Sequence, residues 1–177
     1  MNEVNEIEIN FQIFQQTGLN TGGVWKVVEV FKNDKNVLES LKNKIREFEL
    51  YDNKENYVKY FKQEFGFERY NTSNLELVKQ NNWELFFKSR VKHWSEFELI
   101  SKEENKTKFD KEEFENQKSK FTELLKNYLN KFQLKNVYKI DENKFDTSKT
   151  EWGDQISEDI IFELESRFLI IHFGWSS

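Results

Sequence analysis

The chain has 177 residues, 32 acidic against 27 basic side chains, a net charge of −5, no Cys and no Pro. That length supports one hydrophobic core rather than two, and the absence of Cys excludes disulfides, thiol catalysis and thiolate metal sites. The acidic balance excludes a general nucleic-acid binder, which needs clustered Lys and Arg to meet phosphates.

Only 37% of the residues are hydrophobic, yet 18 are Phe and there is no Ala. A few large side chains must therefore build the core, each burying roughly 150–250 Å². The N-terminal "MNEVNEIEIN" has neither the basic start nor the apolar run of a signal peptide. No stretch of 18 apolar residues is present, so a soluble, cytoplasmic single domain over 1–177 is expected.

In chain order, residues 6–14 alternate: Ile7, Ile9, Phe11 and Ile13 on one side, Glu6, Glu8, Asn10 and Gln12 on the other. That period of two predicts a half-buried strand. A Gly-rich turn follows, and "VWKVVEVF" (24–31), β-branched and aromatic, predicts a second strand.

Four helices are then expected. The first places Val37, Leu38, Leu41, Ile45 and Phe48 on one face. The second opens with Asp52 and Glu55 in capping-box spacing and stops at Gly66. The third opens with Ser73 and Glu76 and carries the stripe Trp83, Phe86, Phe87, Arg90, Val91, Trp94, Phe97. The fourth starts at Asp110 and buries Phe114, Phe121, Leu124, Leu125, Tyr128 and Phe132.

"NVYKI" (136–140) predicts a short strand, 141–159 a long polar loop, and 160–175 a hairpin. A two-residue turn at Ser166-Arg167 pairs Leu164 with Leu169, Phe162 with Ile171 and Ile160 with Phe173 on one apolar face. Ser-Arg is a poor turn pair, which leaves room for a longer loop. The apolar stretch 168–175, broken by His172 and Gly174, reads as a core strand, too short for a membrane tail. The expected fold class is α+β: a mainly antiparallel sheet from N- and C-terminal strands, packed against about four helices.

Chemistry is sparse. Gly18, Gly22 and Gly23 have the spacing of a phosphate loop but lack its Lys and Ser/Thr, leaving a plain turn. His93 lies on one helix face with Glu96, without the further ligands a metal site requires. His172, with Glu163 as a diagonal neighbour in the expected hairpin, is the one acid–base pair that an enzyme reading could use. A half-exposed strand histidine on the polar face of the sheet is the simpler reading and the one expected.

The 141–159 loop is the strongest functional feature. It holds Asp141, Glu142, Asp146, Glu151, Asp154, Glu158 and Asp159 against Lys144 and Lys149, which equals the whole net charge of the chain. Acids of this density steer a basic partner, and Trp152 can anchor it; the competing reading is a solvated loop with Trp152 in the core. Long loops in compact domains are usually functional or disordered.

The ending "DIIFELESRFLIIHFGWSS", an acidic stretch leading into an aromatic hairpin, resembles small bacterial immunity proteins of contact-dependent inhibition and related polymorphic toxin systems. The resemblance implies a non-enzymatic binding protein, without cofactor or metal, that occludes a cognate toxin domain, often a basic nuclease. It transfers no role to any single residue. The competing expectations are a small enzyme using Glu163 and His172, or a phage-borne or regulatory interaction protein with another partner.

Overall fold

The computed structural model describes residues 2–18, 23–32, 76–95, 109–140 and 156–175. Its elements are α1 (Glu3–Thr17), β1 (Gly23–Phe31), β2 (Leu77–Lys79), α2 (Trp83–Ser95), α3 (Lys111–Lys131), β3 (Asn136–Ile140), β4 (Ile156–Glu163) and β5 (Arg167–Trp175). The five strands form one antiparallel sheet in the order β1-β5-β4-β3-β2. The class is α+β, with three helices among the described residues rather than about four. The two helices expected between 34 and 65 lie outside the described residues.

Residues 6–14 are helix, not strand. Asn2 caps α1, its Oδ1 accepting from the Val4 N–H at 3.2 Å, and Glu3 and Glu6 sit in the first turn, where the helix dipole favours acids. The buried side chains Val4, Ile7, Phe11 and Phe14 recur at spacings of three, four and three. Ile7 and Phe11 fit both periods. The flanking Val4 and Phe14 fit only the helical one, and Ile9 and Ile13 are left exposed at 43% and 37%. Glu, Asn and Gln between them are poor strand formers.

The third expected helix starts later than its box pattern suggests. Leu77–Lys79 pairs with β3, and Asn82 becomes the cap, its Oδ1 accepting from the Leu85 N–H at 3.1 Å. The α3 start is where the sequence places it: Asp110 Oδ1 accepts from the Glu112 and Glu113 N–H groups at 2.9 and 3.1 Å. Its end is closed by Gln133 at a φ of 55° and by Leu134 N–H donating to the Leu129 carbonyl at 3.0 Å, an arrangement usually built on Gly.

All three helices feed one apolar layer on one sheet face. Phe11, Phe14, Trp25, Phe87, Trp94, Phe121, Phe162 and Phe173 belong to it. Phe121 is the hub: its ring stacks on Phe11 at 4.6 Å and approaches Phe14 and Phe87 at 6.1 and 6.0 Å. The opposite face carries a smaller cluster of Val30, Ile140, Ile161, Phe168 and Ile170, to which α1, α2 and α3 contribute nothing.

The hairpin keeps its expected faces but not its expected register. Phe162 opposes Leu169 and Ile160 opposes Ile171, a slip of two residues from the sequence pairing. A slip of two preserves side-chain direction, so the apolar face survives it. The last pair is Glu163 with Phe168, and Leu164 N–H donates to the Arg167 carbonyl at 2.8 Å. Arg167 sets this arrangement. Its guanidinium meets Glu29 Oε1 at 2.5 Å and lies over the Phe132 ring at 3.9 Å, which draws it out of the turn and into the sheet.

Candidate functional site

The acidic stretch is narrower than the sequence suggests. Glu158 and Asp159 lie within β4 and not in a loop. The others (Asp141, Glu142, Asp146, Glu151, Trp152 and Asp154) lie outside the described residues. Their stretch, 141–155, joins β3 to β4, which are adjacent antiparallel strands. It carries five acids against two bases.

Glu158 is a tie between layers. It is 5% exposed, and one carboxylate oxygen accepts from Arg90 Nε at 2.7 Å and Trp94 Nε1 at 2.8 Å, while Arg90 Nη2 lies 2.6 Å away. The carboxylate thus fastens α2 to β4 and is not offered to a partner. A cation inside the apolar stripe of α2 was the sequence signal for this: Arg90 at core spacing demands a buried acid, and which of the 32 acids supplies it is settled only by tertiary pairing.

The shifted register also separates Glu163 from His172, so the expected acid–base pair does not form. His172 instead faces Asp159 across the sheet, with Nδ1 to Oδ1 at 2.8 Å. Asp-oriented imidazoles serve as catalytic bases elsewhere, but this ring is 2% exposed and closed to a substrate. Lys26 opposes His172 from the other side, on β1. His93 lies on the outer side of α2 with its ring edge-on to Trp94; Glu96 is outside the described residues.

Glu163 sits at the turn end of the same sheet face. Lys32 Nζ lies 3.0 Å from Oε1, and Asn136 Nδ2 and the Tyr138 hydroxyl donate to Oε2 at 2.8 and 3.1 Å. Burial alone would raise this carboxyl, but the bonds from Asn136, Lys32 and Tyr138 together hold it below the ordinary Glu value. Tyr138 is pushed up, first by burial and then by the Glu163 charge. A depressed carboxyl stabilises the fold above its unfolded value and loses that contribution as pH falls through the folded one. Stability of Glu163→Gln should therefore fall less than wild type on acidification below about pH 4.5, measured by urea unfolding across pH. Parallel curves for the two proteins would contradict the assignment.

A second polar node joins helix and sheet. The Tyr128 hydroxyl donates to Glu29, which also holds Arg167. Burial and the Glu29 bond push the Tyr128 hydroxyl well above its usual value, so it stays a neutral donor. Among the described residues, no group of three His, Cys, Asp or Glu side chains could hold a metal ion. No helix among them is long and apolar enough to cross a membrane.

The chain matches no family model and no curated protein. Among solved structures it is similar to citrus MAF1, with a TM-score of 0.48 and 11% identity over 99% of this chain and 100% of that one. A likeness that loose transfers no function.

Proposed function

We propose that the chain is a protein-binding module, an immunity protein that neutralises a cognate bacterial toxin domain of basic character by covering its active site. The observation that carries the reading is the anchorage of the 141–155 stretch. Both its ends leave adjacent strands whose residues Val137, Ile140, Ile160 and Ile161 are buried, while the stretch itself carries the acids. A buried scaffold with an acidic insertion suits substrate mimicry: carboxylates take the place of phosphates and accelerate encounter. The binding set is Asp141, Glu142, Asp146, Glu151, Trp152 and Asp154; Glu158 and Asp159 drop out of it because the sheet and α2 already use them.

The redistribution of His172 and Glu163 into separate structural pairs favours binding over the enzyme alternative. Co-expression tests the reading in the cell. A basic toxin domain encoded beside this chain should be lethal alone and tolerated with it. The triple variant Asp146→Lys, Glu151→Lys, Asp154→Lys should lose protection at equal expression. Equal protection by wild type and variant would remove the acidic surface from the account, and a chain that protects against no neighbouring toxin would remove the function.

A further inference from the structure

Each strand of the sheet runs against its neighbour from β1 through β5, β4 and β3 to β2, so β1 and β2 are parallel and stand at opposite edges. β1 ends beside Arg167, at the turn end of the β4–β5 hairpin, and β2 begins beside Ile140, at the other end. Parallel strands of one sheet are joined by a crossover over a face. The chain has the 43 residues from 33 to 75 for this one. Four strand spacings of about 4.8 Å make the width to be crossed roughly 19 Å, which about 13 helical residues span.

One face is already filled by α1, α2 and α3. The other is apolar and is buried without them. Val28, Ile170, Ile161 and Tyr138 form a row across β1, β5, β4 and β3, and Ile161 and Phe168 are fully buried. Two other connecting stretches are poor covers for this face. Residues 96–108 join α2 to α3, and the flanking Trp94 and Phe109 both belong to the first layer. Residues 141–155 join neighbouring strands at one end of the sheet and carry five acids. The 33–75 sequence is different in kind. Leu38, Leu41, Ile45 and Phe48 recur at spacings of three and four, and Phe61 and Phe65 follow at four.

We infer that residues 33–75 dock on the second face of the sheet, their apolar positions against Val30, Ile140, Ile161, Phe168 and Ile170. The sheet is then the middle of three layers, and this face is closed to a partner. Three observations carry the assignment: the parallel edge strands that require a crossover, the first face already taken, and an apolar surface buried without any of the described helices. The inference is independent of the toxin reading, because it uses no residue of 141–155 and no property of a partner.

Photo-crosslinking within the full chain tests it. The photoreactive residue p-benzoylphenylalanine replaces Val28, Leu77 or Tyr138, one variant each. All three positions pack against the second-face cluster while only partly buried, so a larger ring is accommodated, and three placements keep the test readable if one variant loses the wild-type unfolding midpoint. Leu124, packed on the first layer, takes the same residue as the control. Irradiated monomer is digested and the captured peptides are read by mass spectrometry. Capture of peptides from 33–75 should dominate at the second-face positions and be lost at position 124. Dominant capture of 96–108 or 141–155, equal capture of 33–75 from position 124, adducts only between two chains, or no adduct in a variant with the wild-type midpoint would each overturn the inference.

Discussion

Phe121→Ala should destabilise the fold by about 3–5 kcal/mol, a large share of the stability of a domain this size. The ring is fully buried and meets Phe11 and Phe14 of α1 and Phe87 of α2 from its place on α3. Truncation therefore opens a void where three helices converge, and a core made of few, large rings has little small material to refill it. Urea unfolding should show a lowered midpoint with an unchanged slope. Leu85→Ala, at a position 66% exposed on α2, should stay within about 0.5 kcal/mol of wild type. A Phe121→Ala loss under about 1.5 kcal/mol would mean that the three helices do not share one layer.

Glu158→Ala is the second large effect, about 2–3 kcal/mol, below the typical cost for a fully buried ion pair because Arg90 is 28% exposed. Arg90 and the Trp94 indole N–H both direct their hydrogen bonds at its carboxylate, and each loses that acceptor in the variant. Most of the loss comes from the buried Trp94 side, whose bond to Glu158 is fully enclosed, whereas Arg90, 28% exposed, is partly rehydrated. The experiment also separates two roles for this residue. A tie between α2 and β4 predicts lost stability with affinity for the proposed toxin domain intact in the folded fraction. A partner-contacting residue predicts the reverse, full stability with weakened binding.

Much of the architecture was legible because several local signals agreed. For β1, β3 and α3, side-chain type, period and, for α3, the Asp110 cap point the same way. Residues 6–14 were misread because a nine-residue window contains two periods at once, and the deciding residues, Val4 and Phe14, sit at or beyond its edges. The hairpin faces were legible because a two-residue slip leaves them unchanged. Its register was not, because Arg167 is placed by Glu29 on β1 and by Phe132 after α3, contacts distant in sequence.

The site divides along the same line. Acid density in 141–159 is a composition signal and was visible at once. That Glu158 and Asp159 belong to the scaffold depends on Arg90 and His172, 68 and 13 residues away.

The central claim is that the remaining acids of 141–155 dock a basic toxin domain, and the salt dependence of affinity tests it most directly. Calorimetric titration of the chain with that domain should show wild-type affinity falling steeply between about 50 and 200 mM salt. Asp146→Lys, Glu151→Lys, Asp154→Lys should weaken binding on the order of 10- to 100-fold at the lower salt, flatten the salt dependence and leave the unfolding midpoint unchanged. Wild-type affinity and wild-type salt dependence in the triple variant would contradict the account.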